Sequence, residues 1–244
     1  MSEIARFFAE RAAQIREMGA DEALRRQSLA WLIDSAPYRY CYNFTWLGRP
    51  VIQFPQDIVA LQEIVWRTRP EVIVETGVAH GGSLVLHASL LALLGGDGFV
   101  VGVDIEIRPH NREAIEAHPL ASRIRLVEGS SIDPATVAQV RALVAGRRAL
   151  VVLDSMHTHD HVARELELYS PLVGAGSYLV VLDTVIDDMP KSAFPDRPWG
   201  PGNNPKTAVR AFLATNPRFE VDRELDDKLL VTAAPEGYLR CLRD

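Results

Sequence analysis

The chain has no surplus of positive charge: 26 lysines and arginines stand against 32 aspartates and glutamates, for a formal net charge of -6. Without a basic excess a run of phosphates cannot be neutralised, which excludes nucleic acid as the main partner. Cysteine is nearly missing as well. Cys41 and Cys241 lie far apart with no C-x-x-C spacing, so neither a disulfide framework nor a thiolate zinc site is available. No apolar run approaches the roughly 20 residues that span a bilayer. The opening stretch MSEIARFFAERAAQIREMGADEALRRQ is charged throughout and lacks the apolar centre of a secretory leader. Together these absences lead us to expect a cytoplasmic protein with no membrane partner. The dinucleotide fingerprint G-x-G-x-x-G is absent, so a nicotinamide cofactor loses support. None of the seven histidines has an acid two residues on, which removes the H-x-D/E core of two-histidine, one-carboxylate iron oxygenases.

What is present, from residue 71 onward, is an alternation of short valine-rich runs with helical patterns. That rhythm is the signature of an α/β fold in which a mostly parallel sheet is covered on both faces. The runs are EVIVE, FVVGVD, RIRLVEG, ALVVLD and SYLVVLD, followed near the C-terminus by FEVDREL and KLLVTAAP as an antiparallel pair, giving seven strands. Intervening helices are expected over 82–94, 110–117, 134–145, 158–170 and 205–215, with another from Gln56 to Arg69. Upstream, apolar residues at helical spacing broken near Gly19 predict two helices serving as a cap or as a contact in a homo-oligomer. The stretch from Pro37 to Pro55 reads as an irregular aromatic loop. We therefore expect an N-terminal cap and loop over 1–55 and a single catalytic unit over 56–244.

In open α/β sheets ligands bind beyond the carboxyl ends of the strands, and these ends carry the chemistry. ETGVAHGGS has Gly77, Gly81 and Gly82 to turn the backbone tightly against the next helix. Asp104 ends the second strand, where a carboxylate suits two ribose hydroxyls. Ser130 and Ser131 in EGSSID suit an adenine edge, although Asp133-Pro134 is equally a helix start. VVLDSMHTHDH places Asp154 at a strand end and three histidines just after it. His157 and His161 form H-x-x-x-H, but Thr158 stands where a zinc protease needs glutamate. Magnesium, which takes oxygen ligands, fits the carboxylates of Asp154 and Asp183 better, provided these end neighbouring strands and do not simply cap helices. His157, three residues beyond Asp154, is the candidate general base, ahead of His159 and His161. His80 is expected to shape the pocket, and Trp46, Arg49 and Gln53 to close it from above. The long gap before residue 205 reads as a binding loop, with Trp199, Asn203, Asn204 and Lys206 suited to a sugar.

The segments ETGVAHGGS, VGVDI, EGSSID and VLDSMHTHDHVARELELYSPLVGAGSYLVVLDT resemble the cephalosporin hydroxylase and rhamnosyl O-methyltransferase family of S-adenosylmethionine-dependent methyltransferases. The likeness covers residues 37 to 240, and 151 to 183 is its most specific part. It implies a Rossmann-like class I methyltransferase fold, with Glu75 and Gly77, and with Gly81 and Ser83 in the same turn, at the methionine end of S-adenosyl-L-methionine. Asp104 would hold the ribose, and Ser130 and Ser131 the adenine. It also implies Mg2+ on Asp154 and on acids at the next strand end. Leu182 stands where relatives have glutamate, so Asp183 is joined by Asp188, or Asp187, as the substitute ligand. The expected reaction is O-methylation of a sugar hydroxyl, in a deoxysugar such as rhamnose within a glycoside or nucleotide sugar. A metal-dependent hydroxylase or hydrolase, and a non-catalytic cofactor-binding assembly subunit, are the competing expectations.

Overall fold

The computed structural model describes residues 2–244. Ser2 caps α1 (Glu3–Ala20) and Asp21 caps α2 (Glu22–Ser35), each side chain accepting a backbone N–H of the first turn. A hairpin follows, β1 (Phe44–Trp46) with β2 (Arg49–Val51), joined by Leu47 and Gly48, both in the left-handed region. Two consecutive positive φ angles match the right-handed twist of paired strands. This hairpin corrects the expectation of a loop over 37–55: Leu47 is an unusual occupant of such a turn, and each strand is only three residues long.

The main unit then runs α3 (Pro55–Thr68), β3 (Val72–Thr76), α4 (Gly82–Leu94), β4 (Phe99–Asp104), α5 (Pro109–Glu116) and β5 (Ile124–Glu128). It continues with α6 (Pro134–Val144), β6 (Ala149–Leu153), α7 (His159–Tyr169), β7 (Tyr178–Val181), α8 (Pro205–Thr215), β8 (Phe219–Val221), α9 (Arg223–Lys228) and β9 (Tyr238–Cys241). The seven strands lie in the order β5-β4-β3-β6-β7-β9-β8, parallel except for β9, which is antiparallel to both neighbours. The expected seven-stranded, mostly parallel sheet is therefore present, but its last strand is Tyr238–Cys241 and not KLLVTAAP. That segment is held elsewhere: the Ala233 N–H donates to Asp57 on α3, and the Ala233 carbonyl accepts from Val185.

Alternate residues of the strands enter two cores. Ile73, Val100, Leu150 and Val180 pack with α3 and α4 on one face. Val72, Val74, Val101, Val151 and Leu179 pack with α6, α7 and α8 on the other. Each such fully buried side chain contributes about 1.5–3 kcal/mol of burial free energy, and it is this two-sided burial that keeps the strand ends rigid. Beyond the sheet's carboxyl edge a third cluster joins Leu32 of α2 to Phe54, Val185 and Met189. Arg25 ties α2 to Asp227 of α9 at 2.8 Å, the helix on which α1 rests. No helix among the described residues is long and apolar enough to cross a membrane.

Candidate active site

Strand order reverses between β3 and β6, so the crevice at this switch point opens where their carboxyl ends part. The two ends are locked together: the Asp154 N–H donates to the Thr76 carbonyl at 2.9 Å. Gly77, with φ +93°, lies so close to β6 that a Cβ there would stand 2.1 Å from the Asp154 carbonyl oxygen. Only glycine permits this turn. The turn is then folded over Asp104, whose Oδ2 accepts from Val78 at 2.8 Å and whose Oδ1 accepts from Glu106 at 3.2 Å. Arg49 of β2 donates to the His80 carbonyl at 3.0 Å and to Asn111 at 3.1 Å, pinning the hairpin over the turn.

The crevice deepens into a cavity of about 990 Å³. That is ample for a nucleoside-sized cofactor and a second small molecule. Of the expected cofactor residues, Glu75, Gly77, Ser83, Asp104, Ser130 and Ser131 line it. Gly81 does not. It precedes α4 and turns toward Ile115, leaving the wall to Gly82 and Ser83. Glu75 is 1% exposed and neither of its carboxylate oxygens has a hydrogen-bond partner; His87 Nε2 stands 3.1 Å away but off the hydrogen-bonding direction. A buried carboxylate left without a partner costs more than the 1–3 kcal/mol of a neutral polar group. An ammonium group of a ligand would satisfy it, and this is how the cavity fits the amino-acid end of S-adenosylmethionine.

Across the crevice, Asp154 follows β6 and Asp183 follows β7, the adjacent parallel strand. Asp183 takes a left-handed conformation with φ 56°, which aspartate tolerates, and so turns back over the strand end. One ligand atom each from Asp154, His157 and Asp183 lies within 4.8 Å of the other two. His157 Nε2 is 3.0 Å from Asp183 Oδ2, and its ring meets Trp199 edge to face at 4.9 Å. Burial pushes the Asp154 carboxyl well above its usual range, and the neighbouring charges of Asp183 and then Glu75 push it further. Two carboxylates converging in one notch beside an imidazole form an oxygen donor set for a divalent cation, whose charge would offset the burial and repulsion that raise the Asp154 carboxyl.

Asp188, expected as the third ligand, is not part of this group. It is bound to the buried Lys206 ammonium, and its place in the cluster is taken by His157. A cation as deeply buried as Lys206 requires a partner, which is why Asp188 faces α8. Asn203 and Asn204, expected to meet a sugar, have other work. Asn203 accepts from the His159 N–H at 2.9 Å, while Asn204 caps α8 and donates to Asp187 at 2.7 Å. Of that loop's expected contacts only Trp199 lines the cavity. His161 meets Ser131 at 3.0 Å and Ser155 at 3.2 Å and lines the same cavity as His157, whereas His159 is held by Thr207 at 2.8 Å and does not line it. Trp46 is spent on Ser89 of α4 at 3.0 Å.

Cys41 and Asp57 are among the wall residues that escaped the sequence reading. The Cys41 thiol is pushed up to about 11, by burial first and then by Asp183. Asp57 is fully buried and accepts from Ala233 at 2.8 Å and from the hydroxyls of Tyr238, at 2.8 Å, and Thr232. Burial outweighs these bonds and lifts Asp57 to about 6. A carboxyl raised above its unfolded value contributes stability that is fully present below about pH 4 and lost as pH rises through about 6. Urea unfolding of the wild type and of Asp57→Asn should therefore show a stability difference that shifts against the wild type by up to roughly 3 kcal/mol between pH 4 and 7. Parallel pH profiles would contradict this.

A family model described as Rhamnosyl O-methyltransferase/CmcI matches residues 38–242. The rhamnosyl O-methyltransferase of Mycobacterium tuberculosis is 33% identical over 201 residues, covering 80% of this chain and 77% of that protein. Its counterpart in Mycobacterium leprae is 30% identical over 198 residues, covering 80% and 82%. Among solved structures, one of CmcI with Mg and SAM aligns with a TM-score of 0.58 at 20% identity, over 82% of this chain and 77% of that one. A putative O-methyltransferase from Klebsiella pneumoniae aligns at 0.52 and 16% identity, over 89% and 90%. These structural likenesses are likenesses of fold.

Proposed function

The chain belongs to the rhamnosyl O-methyltransferase/CmcI family of S-adenosylmethionine-dependent methyltransferases, and on that premise we propose that it methylates a sugar hydroxyl, with a divalent cation and His157 as general base. The convergence of Asp154, His157 and Asp183 beside the glycine turn carries this reading. S-adenosylmethionine, when bound, supplies an electrophilic methyl group on sulfonium. Asp154 and Asp183 would hold a divalent cation, for which Mg2+ or Mn2+ suits their oxygen donors, and its charge would stabilise negative charge on the acceptor oxygen.

The protein's own residues do the rest. Gly77 lets the backbone approach the cofactor, Glu75 receives its ammonium, and Asp104 keeps lone pairs for the ribose while folding the turn. A proton on His157 Nε2, donated to Asp183, fixes the tautomer and leaves Nδ1 to accept the proton of the attacking hydroxyl. Trp199 braces the imidazole and offers a flat apolar wall to a sugar ring. The mycobacterial relatives' name, rhamnosyl O-methyltransferase, supports a rhamnosyl acceptor, which we take to be part of a glycoside or nucleotide sugar.

Incubation with S-adenosylmethionine, Mg2+ and a panel of rhamnosides and nucleotide-linked deoxysugars should yield products one methyl group heavier by mass spectrometry. Transfer to catechols or carboxylates with none to any sugar would contradict the assignment.

A further inference from the structure

We propose that Gln53 binds the amino-acid head of S-adenosylmethionine together with Glu75, an assignment that rests on the function proposed above. Gln53 follows the hairpin, which is pressed onto the first turn of α4. A Cβ on Gly82 would stand 2.0 Å from the Pro50 carbonyl oxygen and 2.8 Å from the Val51 Cα. Gln53 is thereby carried to the wall of the same cavity that Glu75 lines. It is only 4% exposed, and both its Oε1 and its Nε2 are buried without a hydrogen-bond partner. Its neighbour Asp57, one helical turn on, has both oxygens engaged. The orphaned amide is therefore particular to Gln53.

The unpartnered groups can be matched against a ligand. Glu75 presents two unbonded acceptors, of which Oε2 also faces His87 Nε2 at 3.1 Å, and Gln53 adds one acceptor and one NH2 donor. An α-ammonium carries three N–H donors and an α-carboxylate carries only acceptors, so a zwitterionic head meets this inventory in full. Sugar hydroxyls carry no positive charge and would leave the buried carboxylate of Glu75 without a counter-ion. Burying two orphaned polar groups in a wall is costly unless a ligand completes them.

Gln53→Met keeps the length of the side chain and removes both polar atoms. Calorimetry would compare S-adenosylhomocysteine with 5′-methylthioadenosine, which has the nucleoside and thioether but no amino-acid head. The wild type should bind both. The variant should lose roughly 10- to 100-fold in affinity for S-adenosylhomocysteine, the range for hydrogen bonds to charged groups, and stay within about twofold for methylthioadenosine. Its unliganded melting temperature should equal or exceed that of the wild type, because an uncompensated amide has been removed. Undiminished S-adenosylhomocysteine binding, equal loss for both ligands, or a rise confined to the acceptor's KM would each overturn the assignment. If the wild type binds neither nucleoside, the methyltransferase function itself fails, and the role of Gln53 falls with it.

Discussion

Asp154→Asn is expected to lower kcat/KM for methyl transfer by at least about a thousandfold while raising the melting temperature of the unliganded protein. The two effects have one cause. Asp154 is half-buried beside Asp183 and Glu75, and desolvation with that repulsion holds its carboxyl well above the ordinary range. Near neutral pH the folded state must either retain a proton there or bear the charge, and either course weakens folding. Asparagine is free of that burden, so stability rises. The same substitution removes one of two carboxylates able to hold a cation. Charge stabilisation by a metal supplies several kcal/mol at the transition state, and each 1.36 kcal/mol is about tenfold in rate. Binding of S-adenosylhomocysteine should change less than about tenfold, because the turn that holds it depends on the backbone of Asp154 and not on its side chain. Thermal melts and steady-state kinetics on one preparation check all three. A variant that loses both activity and stability would mark Asp154 as a structural acid, and one that keeps full activity would show that methyl transfer does not depend on a cation at Asp154.

His157→Ala should cost between about a hundredfold and ten-thousandfold in kcat, the usual worth of a positioned general base. Added imidazole should restore part of the rate, since the ring leaves a space beside Trp199. His157 also stands 3.0 Å from Asp183, within reach of the same cation. A base that only orients Asp183 would reduce cation affinity by about 10- to 100-fold at most. A loss of cation affinity well beyond about 100-fold in His157→Ala, with kcat restored by excess metal, would reassign the imidazole as a ligand.

The parts of the fold visible in sequence are those where burial dictates composition. Val72 to Val74, Val100 to Val103 and Ala149 to Leu153 are covered on both faces, so each is an unbroken apolar run. The carboxyl end of each run was then a place to look, and Asp104, Asp154 and Asp183 stand at those ends beside the cavity. What escaped depended on pairing across distance. Tyr238–Cys241 is a four-residue strand inserted between β7 and β8, and nothing local distinguishes it from the more apolar KLLVTAAP. Asp188 was indistinguishable from a ligand until Lys206, eighteen residues on, proved to be its buried partner. Asn203 and Asn204 looked like sugar contacts because caps and sugar sites use the same amides. The orphaned state of Gln53 has no sequence signal at all, since it reflects what fails to pack against an amide.

Titration with Mn2+ followed by electron paramagnetic resonance, with S-adenosylhomocysteine present, tests the convergence of Asp154, His157 and Asp183 most directly. One Mn2+ should bind per chain, binding should be lost in Asp183→Asn, and it should persist in Asp188→Asn. Persistence in Asp183→Asn together with loss in Asp188→Asn would place the cation in the loop before α8, away from the histidine, and would contradict the proposed chemistry.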